Sequence, residues 1–151
     1  MVPQRIEREI VIDAPVEVVW AVVTEPEHIS GWFGDAVEIE LRPGGKAVLH
    51  FSGHGSFDGC VERVEPPHFF SLRWALDSGA RLAEDNSTLV EFSLRAEGDS
   101  TRLIVVESGF RDVAGPEDEK QRHVDSHRRG WETELGELVE YVAQRARATE
   151  R

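Results

Sequence analysis

Only one stretch of this chain can form a long helix, and it is the last one. Val124, Trp131, Leu135, Leu138 and Val142 recur at steps of seven, four, three and four. That spacing lays one apolar stripe along a helix of roughly seven turns, opening after Gly115-Pro116. Glu117, Asp118 and Glu119 suit the positive end of its dipole. Between Phe33 and this helix the period is two. Val37, Ile39 and Leu41 alternate, then Ala47, Leu49 and Phe51, then Phe70, Leu72, Trp74 and Leu76. Phe57 and Val61 mark a glycine-punctuated strand, and Leu89–Arg95 with Leu103–Val106 reads as a hairpin. Arg42-Pro43-Gly44-Gly45, Glu65-Pro66-Pro67 and Glu97-Gly98-Asp99-Ser100 supply the turns.

Ahead of these, Arg5–Ile12 reads as a strand. Val16, Val19, Trp20 and Val23 form one face of a short helix, with Asp13 as a possible N-cap. Thr24 and Glu27, three apart, have the form of a capping box opening a second short helix that ends near Gly31. The predicted class is α+β: a strand, two short helices, about six strands and a long C-terminal helix. A curved antiparallel sheet has one face to bury, and only the last helix can cover it. A single helix cannot fill the hollow of so wide a sheet, so the pattern predicts a cavity between them.

Charge narrows the guest. Seventeen Lys plus Arg against 29 Asp plus Glu leave −12 on 151 residues. Such a surface repels nucleic-acid phosphates and anionic lipid heads. No apolar run approaches the ~20 residues of a membrane span. Cys60 is the only cysteine, which excludes an intrachain disulfide and a Cys-rich zinc site. The first residues show no apolar leader, so the expectation is a cytoplasmic protein with one domain over 1–151 and its core at about 5–146.

Several aromatics fall at inward strand positions or on the helix stripe. Phe51, Phe57, Trp74, Phe92 and Trp131 are candidate cavity walls, with Trp32 and Phe33 at the entrance. His50 and His54 flank Phe51, and either could enter as a polar group, His50 being carried forward as the candidate. Glu107 shares a strand face with Leu103 and Val105. On the concave face it would be a carboxyl with a raised pKa suited to acid–base work; on the other it is merely solvated, the favoured reading. His123 and His127 stand four apart on the long helix without a third metal ligand, and read as solvated. No catalytic set, metal site or cofactor motif is predicted.

Collinear motifs resemble a known family. Ile10-Val11-Ile12-Asp13-Ala14-Pro15 with Val19-Trp20, Thr24-Glu25-Pro26-Glu27 and Trp32-Phe33 is similar to the opening of the START-like (SRPBCC) superfamily. Leu41–Lys46, Val64–His68, Arg73-Trp74, Glu107–Phe110 and Gly130-Trp131 resemble the branch named after the C-terminal domain of the activator of Hsp90 ATPase. The resemblance implies a helix-grip fold, a curved seven-stranded antiparallel sheet around a long C-terminal helix, with two short helices after the first strand. It implies a hydrophobic cavity for a small apolar molecule such as a lipid, sterol or polyketide, and no shared catalytic residues. The eukaryotic activator carries an additional N-terminal domain, so a co-chaperone role is not expected from a match that starts near residue 5. The favoured function is non-catalytic binding of a hydrophobic or amphipathic ligand, by a monomer or homodimer. The alternatives are a cyclase-, isomerase- or hydrolase-like enzyme in the same cavity, and a protein-interaction or chaperone-associated module.

Overall fold

The computed structural model describes residues 2–149. Its strands are β1 (Arg5–Ile12), β2 (Ala36–Ile39), β3 (Lys46–Phe51), β4 (Gly55–Glu65), β5 (Phe69–Ala75), β6 (Ser87–Glu97) and β7 (Ser100–Ser108). Its helices are α1 (Val16–Thr24), α2 (Pro26–Ile29) and α3 (Glu117–Thr149). The seven strands form one antiparallel sheet in the order β1-β7-β6-β5-β4-β3-β2. From β2 onward the sheet is a meander. Only β1 is out of sequence, paired with β7 at the far edge, so α1 and α2 carry the chain from one edge to the other. This is the helix-grip architecture that the resemblance implied, on the order of elements that the sequence pattern predicted.

The inner face follows the alternation. Ala47 and Leu49, Phe70 and Leu72, Val90, Phe92 and Leu94, and Leu103 and Val105 are buried, together with Val124, Trp131, Leu135, Leu138 and Val142 of α3. No helix among the described residues is long and apolar enough to cross a membrane.

The capping box at Thr24 does not form. Thr24 donates its hydroxyl back to the Trp20 carbonyl at 2.6 Å and ends α1. Glu25 takes the N-cap position of α2 with no side-chain bond. The reason is Pro26: a residue before proline is pushed out of the helical region, so Glu25 is extended and the break falls one residue later than the box requires. Asp13 likewise does not cap α1, where Pro15 holds the N-cap position.

Two glycines are set by close approach. A Cβ on Gly45 would lie 2.0 Å from the Glu40 carbonyl oxygen, because the β2–β3 turn folds back on itself. One on Gly31 would meet the Tyr141 ring at 2.3 Å. Tyr141 also holds α2 through a 2.8 Å hydrogen bond between its hydroxyl and His28 Nδ1. That contact ties α2 to the far end of α3 and fixes where Trp32 and Phe33 enter the core.

Candidate functional site

Three neighbouring strands and α3 converge on Glu107. Alternation along β7 buries Thr101, Leu103, Val105 and Glu107 on the concave face. The register sets Trp74 of β5 opposite Thr88 of β6, and Val90 opposite Glu107. The favoured solvated reading of Glu107 is therefore wrong: its side chain is fully buried. Its Oε2 accepts from Trp74 Nε1 at 3.0 Å and from the Thr88 hydroxyl at 2.5 Å. Its Oε1 accepts from Trp131 Nε1 at 2.8 Å. His127 Nδ1 lies 2.8 Å from both oxygens and donates to them.

Burial alone would raise the Glu107 acid, but the His127 charge and the bonds from His127, Thr88 and Trp131 outweigh it and hold the carboxyl below its usual range. An ionised carboxylate accepts only, which is what four converging donors require. So the concave placement is right for acid–base chemistry and the electrostatics are opposite. Glu107 is an anchor joining β5, β6, β7 and α3, with no lone pair left over for a reacting group.

His127 is not on a solvated face either. Its side chain is 21 % exposed, its ring meets Phe110 and Trp74 edge-on, and it reaches Glu107. The signal was in the stripe. His127 falls inside the seven-residue gap between Val124 and Trp131, where the helix turns inward. A polar side chain there must find a buried partner.

Beside this anchor lies a cavity of about 350 Å³. Of the predicted residues, Phe33, Phe51, Phe57, Trp74 and Trp131 line it. Phe33, Trp74 and Trp131 stack pairwise, with centroids 5.6–5.7 Å apart and planes within 29°. Phe51 meets Phe33 edge-on, and Phe57 meets Phe51 likewise. Trp74 and Trp131 each turn the indole N–H toward Glu107 while their rings line the cavity.

Besides Glu107, three predicted residues sit outside this lining. Trp32 is not at the entrance: it is 3 % exposed, donates to the Val22 carbonyl at 3.0 Å, and borders a separate void of about 30 Å³ with Phe92. Phe92 stacks on Phe70 at 4.5 Å and touches Trp131 edge-on. His50 faces away, bonded to the Ser56 hydroxyl and to Glu38 Oε2. Alternation explains it, since Phe51 takes the inner face of β3 and His50 precedes it. β3 then ends, the turn resets the period, and His54 lines the cavity in its place.

Sequence reading missed Glu134, which lines the cavity one turn beyond Trp131. Burial, and then the neighbouring Glu137 carboxylate, push its acid up to about 7. Its Oε2 is buried and has no hydrogen-bond partner. Among the described residues no three His, Cys, Asp or Glu side chains are grouped to hold a metal ion.

Comparison with known proteins places this geometry. No curated protein matches the chain. Of solved structures, a protein of the dynemicin biosynthetic locus, DynU16, is 26% identical with a TM-score of 0.75. The match covers 93% of this chain and 48% of DynU16, so this chain spans about half the length of that protein. CalU16 from Micromonospora echinospora is 28% identical with a TM-score of 0.66, over 95% of this chain and 79% of CalU16. PFC0360w, an HSP90 activator from Plasmodium falciparum, is 18% identical with a TM-score of 0.69, over 90% and 94% of the two chains, and shows the shared fold. The family model described as activator of Hsp90 ATPase homolog 1-like protein matches residues 13–143, and the chain belongs to that family.

Proposed function

We propose that this chain binds a small hydrophobic or amphipathic molecule in the cavity between the sheet and α3, without catalysing a reaction. The observation that carries this reading is the cavity of about 350 Å³ walled by stacked Phe33, Trp74 and Trp131. Small-molecule sites run from roughly 300 to 1,000 Å³ and are lined mostly by aromatic and apolar groups with a few polar ones. A non-catalytic role is supported by Glu107, whose oxygens are all engaged. An internal site is favoured over a docking face because, among the described residues, the exposed large apolar side chains, Val11, Val18 and Val139, belong to three different elements.

The test is saturable binding of N-phenyl-1-naphthylamine, an uncharged fluorescent probe. Trp131→Ala removes a wall and should weaken binding, but it also strips a donor from Glu107. Gly130→Leu is the cleaner variant. Gly130 lines the cavity, and a Cβ built on it meets nothing within 4 Å. The leucine fills the guest's space and replaces a helical glycine, gaining about 1 kcal/mol of helix preference. The expected result is lost probe binding in a protein at least as stable as the parent. Undiminished binding by folded Gly130→Leu, or no saturable binding by the parent, overturns the reading.

A further inference from the structure

Glu134 is a half-buried side chain with one fully buried oxygen. Among the described residues its Oε2 is the only buried side-chain nitrogen or oxygen left without a partner. The Glu134 side chain lines the same space as the Trp74 and Trp131 rings. The other titratable groups lining that space are His127, on the same helix and engaged with Glu107, and His54, from the β3–β4 turn; no Lys or Arg lines it. Glu137, one turn further along α3, adds a second negative charge.

Leaving a buried acceptor unpaired costs as much as losing a hydrogen bond. A guest that presents a donor to the carboxyl group offsets that cost, and by carrying positive charge it also offsets the repulsion from Glu137. A cation also gains from indole faces nearby. An anionic guest, a fatty acid for example, would bring a further carboxylate against Glu134.

We propose that the cavity takes a molecule with an aromatic or apolar body and a protonated amine, the amine seated at the Glu134 carboxylate and the body against Trp74 and Trp131. This rests on the cavity being a binding site, and adds the sign of its guest's charge. Ionised Glu134 is the binding form, and burial and Glu137 hold the acid up to about 7. Amine binding near neutral pH therefore displaces a proton from the carboxyl, and affinity rises with pH through that region.

Three indoles with one body and different charges test it by calorimetry: tryptamine, 3-ethylindole and indole-3-propionate. The wild-type chain should bind tryptamine about tenfold tighter than 3-ethylindole, with indole-3-propionate weakest. In Glu134→Gln the ratio of tryptamine to 3-ethylindole affinity should fall toward one. Tryptamine affinity should drop from pH 8 to pH 6, and the series is repeated in Glu134→Gln so that any part owed to His54 or His127 stays behind. Exposed Glu137→Gln gives a second handle, moving the midpoint of that pH dependence to lower pH. Binding of 3-ethylindole and tryptamine with equal affinity overturns this inference and leaves the cavity reading standing. So does an amine preference that survives Glu134→Gln. Binding of neither indole nor of N-phenyl-1-naphthylamine overturns both.

Discussion

Glu107→Gln is the sharpest perturbation this structure offers, because it changes one atom in a closed arrangement of donors. The carboxylate accepts from Trp131 on Oε1, from Trp74 and Thr88 on Oε2, and from His127 on both. An amide nitrogen must replace one oxygen. At the Oε1 site it opposes the Trp131 N–H; at the Oε2 site it opposes the Trp74 N–H. The Thr88 hydroxyl can rotate and accept, but an indole nitrogen cannot. Either orientation leaves a buried donor unmade, at about 1–3 kcal/mol. Loss of the charge-assisted bond to His127 adds a comparable amount. The expected loss is about 2–4 kcal/mol, a large share of a typical 5–15 kcal/mol stability. Urea unfolding at pH 7 should show the midpoint falling by roughly 1–2 M with an unchanged slope. The carboxyl is held below its ordinary 4.5, so its contribution is complete above that value and is lost as pH falls through the lower folded value. The gap between parent and variant should therefore narrow on acidification. A variant within about 0.5 kcal/mol of the parent at pH 7 refutes the anchor, a difference ordinary for surface changes. A gap that widens toward pH 3 refutes the ionised state.

Two further outcomes are expected. Glu134 has the opposite linkage: its folded acid is raised, so its contribution is complete below 4.5 and is lost as pH rises to about 7. That span corresponds to roughly 3 kcal/mol at 1.36 kcal/mol per tenfold, reduced to about 1 kcal/mol because the side chain is partly solvated. Glu134→Gln should thus match the parent in urea at pH 4 and exceed it by that amount at pH 8, and a less stable variant at pH 8 would contradict the assignment. Gly45→Ala should lose at least about 2 kcal/mol by thermal or urea unfolding, since its Cβ would sit 2.0 Å from a backbone oxygen that no rotamer change can move. A neutral Gly45→Ala would show that the turn relaxes.

Periodicity carried the architecture because each element buries one face, and the burial leaves its spacing in the chain. The stripe from Val124 to Val142 and the alternation on β3, β5, β6 and β7 are of this kind. Periodicity does not say which face of a strand is the inner one. Leu103, Val105 and Glu107 share a side whichever way β7 lies, so the fate of Glu107 waited on the register that brings Trp74 and Thr88 beside it. His50 and His54 show the complementary limit. Spacing along a strand has meaning only while the strand continues, and β3 stops at Phe51.

Two carboxylates share the same pair of indoles as neighbours, Glu107 by hydrogen bonds and Glu134 across the cavity lining. Trp74 and Trp131 point their only polar atoms at Glu107, and in doing so present nothing but ring to the cavity where Glu134 sits. The two indole donors are thus committed to the strand carboxylate, and Oε2 of the helix carboxylate is left without a partner. That separation assigns Glu107 to stability and leaves Glu134 for the proposed recognition of an amine, and it is why Glu107→Gln and Glu134→Gln should shift urea midpoints at pH 8 in opposite directions.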